Sequence, residues 1–192
     1  MPRAAVCIFG TSIRKQSNTA RSKPASPAPA APLAPAPVPA APGLVHGDYR
    51  LDNVMYAPAD PARIVAVIDW EMCTIGDPLC DLGLLCVYWA DDSSEAAART
   101  LHGRAITVED GFSKRKDLLR DYAAGTQRDL GSLDWYIALG AYKLAIIAEG
   151  ITARFLMGMT FGEGFDTMGE LVPSIVQGGL EALDRLGSTE GG

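Results

Sequence analysis

Three oxygen-bearing side chains have a spacing suited to phosphoryl transfer. Asp48 closes His46-Gly47-Asp48, Asn53 follows five positions later, and Asp69 sixteen after that, at the end of an apolar run. Moving a phosphoryl group from a nucleotide calls for a carboxylate that orients and deprotonates the acceptor hydroxyl. It also calls for hard oxygen ligands that hold Mg²⁺ against the phosphates. Asp48 can do the first, and Asn53 with Asp69 the second. A loop between two short strands would aim residues five apart at one point, and a strand end beside it would deliver Asp69. Taken singly, the same residues also read as a capped turn and an ordinary strand-end Asp.

The surrounding pattern supplies such elements. LVHGDYRLDNVMY reads as strand, loop, strand; PADPAR as a turn; and RIVAVIDW as a β-branched strand ending at Asp69. Gly76-Asp77-Pro78 places an N-cap Asp before a first-turn Pro, and Leu79, Leu82, Leu85 or Cys86, and Trp89 follow at helical spacing. Residues 91–111 are polar and loop-like, and SKRKDLLRDYAAGTQ predicts a surface helix stopping near Gly125. From Leu133 to about Met157, Tyr136 or Ile137, Gly140, Leu144, Ile147, Ile151 and Phe155 lay an apolar stripe along a long helix, which GMTFGEGFD breaks. A last helix is expected from Pro173 to Leu186, with Ile175, Val176, Leu180, Leu183 and Leu186 inward. The expected fold class is α+β and mostly helical.

Charge and composition divide the chain. Residues 1–43 carry five bases, no acid, 9 of the 13 prolines and 11 alanines, whereas residues 44–192 hold 12 bases against 23 acids. The first segment cannot bury enough apolar surface to offset its ordering entropy, and 25–43 reads as a polyproline-like spacer. A targeting leader and a non-native leader both fit its acid-free start. The expected domains are thus an arm over 1–43, a lobe over 44–187 and a flexible tail over 188–192. The net charge of −6 argues against a nucleic-acid partner. Four cysteines without a CxxC pair fit reduced thiols in the cytoplasm. No membrane partner is expected, because the most apolar stretch, IALGAYKLAIIAEGI, contains Lys143 and Glu149.

On HGDYRLDN, Ile68-Asp69-Trp70-Glu71 and GDPLCDLG, the sequence resembles the aminoglycoside/choline phosphotransferase family, which shares the protein-kinase-like fold. Residues 142–172 are similar to the carboxyl-terminal helices of the branch fused to acyl-CoA dehydrogenases, so the resemblance spans about 43–186. It implies Asp48 as catalytic base, Asn53 and Asp69 as magnesium and nucleotide ligands, and His46 and Asp81 as structural braces of the loop. It implies ATP and Mg²⁺ as cofactors and a small-molecule hydroxyl as acceptor, with the fusion partner tilting the choice toward a hydroxyacyl thioester. Arg50, two residues past the base, has two readings: neutralising the transferred phosphoryl group, or a surface arginine on a loop.

Such enzymes carry an amino-terminal lobe with a Gly-rich loop and a strand lysine. Neither pattern precedes His46, so the expectation is a carboxyl-terminal lobe alone, with the amino-terminal lobe absent or supplied by a partner chain. The alternative is a non-catalytic remnant or binding module. Asp77 reads as a helix cap, and Glu149 and Arg154 read either as solvated charges or as substrate contacts. Gly158, Gly162 and Gly164 follow a helix rather than a strand and do not form a nucleotide loop.

Overall fold

The computed structural model describes residues 36–38, 41–91, 99–100, 103–104, 106–160, 164–165 and 167–189. Most of the expected amino-terminal arm (1–35 and 39–40) and residues 190–192 of the expected tail lie outside the described residues. The secondary-structure elements all belong to one unit, Pro37–Gly192.

Among the described residues, three small antiparallel sheets accompany four α-helices. β1 (Gly43–Val45) pairs with β4 (Thr74–Gly76), with Leu44 opposite Ile75. β2 (Val54–Ala57) pairs with β3 (Asp60–Val67), with Val54 opposite Val67. The expected polar loop over 91–111 contains a third pair, β5 (Arg99–Thr100) with β6 (Gly103–Arg104). It also contains a 3₁₀ turn, Ile106–Val108, whose Thr107 is buried: its hydroxyl donates to Ala90 O and accepts from Ala90 N–H, both at 3.0 Å.

α1 (Leu79–Tyr88) starts where Asp77 Oδ1 accepts the Leu79 N–H at 2.9 Å, satisfying one of the helix's orphan donors. Its Leu79, Leu82, Leu84, Leu85 and Cys86 are all buried, apolar nearly all round as a core helix must be. α2 (Arg115–Thr126) lays Leu118, Leu119 and Tyr122 against Leu79, Leu82, Leu133 and Tyr136. Gly125 lies inside α2; the helix ends at Gln127, in the left-handed conformation, whose N–H donates to Ala123 O.

α3 (Leu133–Leu156) packs against both α1 and α4 (Met168–Thr189). The α1–α3 approach is close because both helices present glycine. A Cβ on Gly83 would sit 2.4 Å from the Tyr136 carbonyl, and one on Gly140 3.0 Å from Leu84 Cα. In the carboxyl-terminal half of α3 the buried positions are Ala145 and Ala148, while Ile147 is 38% exposed, so that half turns a small-residue face inward instead of the expected Ile147. α4 starts at Met168, five residues before the expected Pro173. Met168, Leu171 and Val172 pack against Leu144 and Ala148, and a proline this near the amino end removes one helical hydrogen bond. Leu180, expected inward, is exposed, and Ala182 is fully buried.

By length and composition α3 could cross a membrane, contrary to the expectation drawn from Lys143 and Glu149. The core helix of a globular protein meets the same criterion, and α3 is packed between neighbouring helices as such a helix would be.

Candidate active site

The HGD loop is tied down mainly by backbone N–H groups. Asp81, in the first turn of α1, accepts the His46 N–H at 2.6 Å and the Gly47 N–H at 2.8 Å on its two carboxylate oxygens. This is a brace in the physical sense: two charge-assisted bonds hold consecutive peptides. His46, 2% exposed, accepts the Asp48 N–H on Nδ1 at 3.2 Å. Its Nε2 lies 2.8 Å from Ile68 O. The two partners assign the neutral tautomer protonated at Nε2, because a carbonyl can only accept. One imidazole thereby links the loop before Asp48 to the residue before Asp69. The Trp70 ring packs against it at a tilt of 53°, with centroids 4.6 Å apart, and Trp70 Nε1–H donates to Val67 O at 2.7 Å.

The chain then turns through Leu51–Asn53, and the five-residue offset brings Asn53 back onto Asp48. Asn53 is buried, and its Nδ2 donates to Asp48 O at 2.8 Å and to Asp48 Oδ2 at 3.2 Å. With Nδ2 turned to Asp48, the amide oxygen is left for another partner. Arg50 Nε lies 3.5 Å from the same Asp48 Oδ2 and 3.6 Å from Asp52 Oδ2, with its guanidinium 5.5 Å above the Tyr88 ring. Its side chain is largely buried, so the surface-arginine reading does not hold. The Asn53 hydrogen bond and the Arg50 contact both fall on Oδ2 of the Asp48 carboxylate.

Asp69 lies beyond β3, in the left-handed conformation at φ 66° and ψ 53°. Away from glycine that conformation costs about 1–2 kcal/mol, Asp being among the residues that tolerate it best. Backbone outliers of this kind concentrate at functional sites. Its carboxylate is exposed, and among the described residues no donor reaches it. The structure thus brings Asp48, Arg50 and Asn53 into one contact group. Asp69 connects to that group through the backbone, by the Ile68 N–H donating to Asn53 O at 2.9 Å and by His46. An amide oxygen and an unengaged carboxylate are hard donors that suit Mg²⁺, whose remaining positions phosphates and water usually fill.

Two participants went unread in the sequence. Tyr88 holds the Arg50 guanidinium, and burial, then the Asp48 charge, push its hydroxyl up to about 12. Lys143 of α3 donates to Gly47 O. A signal existed for each. Tyr88 is seven residues after Asp81, two turns along one helix face, and Lys143 is three after Gly140 in an otherwise apolar run. Asp77 is the cap expected of it, and its other oxygen accepts from Tyr136 OH at 2.7 Å. That bond and burial, burial foremost, raise the Tyr136 pKa.

The HGD loop between short strands, braced by an acid at the start of a buried helix, belongs to a kinase-like phosphotransferase fold. A solved structure assigned to the aminoglycoside phosphotransferases, from Ralstonia eutropha JMP134, superimposes with a TM-score of 0.61 at 28% identity, covering 75% of this chain and 43% of that one. Residues 16–118 match the phosphotransferase enzyme family, and the chain belongs to it. Among curated relatives, acyl-CoA dehydrogenase family member 11 of Rattus norvegicus is 34% identical over 152 residues, 76% of this chain and 19% of that protein. The same member of Homo sapiens is 31% identical over 150 residues, 76% of this chain and 18% of that protein. The chain therefore spans about a fifth of the length of these relatives.

Proposed function

We propose that this chain takes part in transfer of the γ-phosphate of ATP to a hydroxyl of a small molecule, a hydroxyacyl thioester being the favoured acceptor. The observation that carries the reading is the engagement of Asp48. Asn53 and Arg50 hold Oδ2, which leaves Oδ1 as the oxygen to receive the acceptor's proton. Arg50 supplies positive charge beside the base, where charge on a transferring phosphoryl group would need it. Asn53 and Asp69 would hold Mg²⁺, which when bound neutralises phosphate charge and aligns the nucleotide. The acceptor class rests on the relatives being acyl-CoA dehydrogenase family members, whose acyl-CoA chemistry would place such substrates nearby.

Calorimetric titration of the folded chain with ATP and Mg²⁺, repeated on Asp69→Ala, tests the reading. Binding by the wild type and its loss in the variant are expected. A well-folded wild type that binds no nucleotide would instead support a binding module that retains the substrate lobe without catalysis.

A further inference from the structure

The peptide that joins Gly47 to Asp48 is gripped at both ends. Its N–H, that of Asp48, donates to His46 Nδ1 at 3.2 Å, and its carbonyl, Gly47 O, accepts from Lys143 Nζ. The peptide before it is held by Asp81 Oδ1 through the Gly47 N–H at 2.8 Å. Rotation of the Gly47–Asp48 plane would swing the Cα–Cβ bond of Asp48, so the groups that fix that plane also aim the carboxylate. Gly47 itself gives little rigidity of its own, since it sits at φ 89°, where a Cβ would come 2.7 Å from Met72 O. The aim must come from outside the loop.

Lys143 reaches the loop because α3 approaches α1 closely. Tyr136, Gly140 and Lys143 follow at steps of four and three along one face of α3, and the first two lie against Gly83 and Leu84 of α1. The lysine is half-buried, and among the described residues it forms no ion pair. A half-buried ammonium whose bond goes to a carbonyl forms the stronger, charge-assisted kind of hydrogen bond at that point. We propose that Lys143 is a positioning residue for Asp48, holding the Gly47 carbonyl so that the carboxylate keeps one orientation toward the acceptor hydroxyl. The proposal rests on the reading of Asp48 as a phosphotransferase base.

Three measurements on the full chain test it: amide hydrogen exchange by NMR, Mg·ATP affinity by calorimetry, and turnover with ATP and a hydroxyacyl-CoA. Lys143→Met should speed exchange of the Asp48 amide at least tenfold while leaving the Kd for Mg·ATP within about twofold. It should lower kcat about 10–100-fold at nearly constant KM, the scale of a small misplacement of a reacting group. Lys143→Arg, which keeps a charged donor, should restore most of the lost kcat. Unchanged kcat in Lys143→Met overturns the proposal, as does a loss that Lys143→Arg fails to restore. If the wild type binds Mg·ATP but transfers nothing, the phosphotransferase reading fails separately and the exchange data decide, an unchanged Asp48 amide overturning the positioning role. If Lys143→Met does not fold, the wild type still decides. A through-bond coupling between Lys143 Nζ and the Gly47 carbonyl carbon supports the proposal, and its absence overturns it.

Discussion

The two sides of the site are held by different physics. On the helical side, Asp81, Asp77, Tyr136 and Lys143 form hydrogen bonds at or below the surface, between helices whose glycines let their backbones nearly touch. On the strand side, Met55, Ile64, Val65, Ile68, Trp70 and Met72 all stand exposed, and Asp69 is placed by backbone bonds and one imidazole. Asp48, the proposed base, therefore sits on the rigid side and Asp69, the proposed metal ligand, on the open one. Rigidity suits a group that must meet a proton within hydrogen-bond reach. A ligand carboxylate can accept reorientation when its ion arrives.

Chemistry gives the largest effect expected of any single substitution. Asp48→Asn should lower transfer by about 10²–10⁴-fold, the usual contribution of a positioned base, while Mg·ATP affinity measured by calorimetry stays near that of the wild type. Turnover retained in this variant would remove Asp48 from the mechanism. For stability, the contrast between the sides predicts the most from Gly83→Ala. The new methyl has no room against the Tyr136 carbonyl, so the urea midpoint should fall by the equivalent of about 3 kcal/mol, at the upper end for overpacking. In α2 the added methyl of Gly125→Ala meets nothing within 4 Å, and the same measurement should show a gain of about 0.5–1 kcal/mol. Equal effects at the two glycines would refute the close α1–α3 approach.

Asp81→Ala comes next. It strips the acceptor from two N–H groups at once, and a loss of about 2–3 kcal/mol is expected, the range for bonds to a charged partner. Faster amide exchange should be confined to His46 and Gly47. Uniform acceleration along the chain would mean that Asp81 stabilises the fold at large and does not brace the loop in particular.

These residues also show what a sequence can and cannot display. The meeting of Asp48 with Asn53 was legible because loop chemistry is local: five residues of turn set that contact, and the strand end ties Asp69 to it through the backbone alone. Asp77 was legible because a cap has a fixed offset from a helix start, whereas the bracing role of Asp81 came from the family resemblance. Tyr88 and Lys143 act across 38 and 96 residues of chain, on Arg50 and Gly47, and only the packing of α1 and α3 makes those pairs neighbours. The inward face of α3 was misread for a related reason. Hydrophobicity favoured Ile147, but a closely approaching α4 selects small Ala145 and Ala148. The boundary at Pro173 failed because proline marks where a helix is weakened, whereas the apolar residues ahead of it decide where it starts.

Alkaline pH should act through the helical side. Burial lifts Tyr88 from 10.0 to about 12, and Tyr136 shifts in the same direction. The folded chain thus keeps protons that the unfolded chain gives up near pH 10, so the stabilisation is complete below pH 10 and disappears as pH rises through about 12. The urea midpoint should fall over that interval by the equivalent of about 1–2 kcal/mol, and Tyr88→Phe should flatten part of the decline. A midpoint that holds level to pH 12 would mean that neither hydroxyl is desolvated.

The smallest effect belongs to the strand side. Val65 is 49% exposed on β3 beside the register shift at Met55 and Tyr56, so Val65→Thr keeps a β-branched chain and removes little buried surface. Its urea midpoint should move by no more than the equivalent of about 0.5 kcal/mol, as surface substitutions usually do. A loss several times larger, growing with protein concentration, would show that a second copy covers this face in solution. The open side would then be closed by association, and the difference between the two sides of the site would belong to the single chain alone.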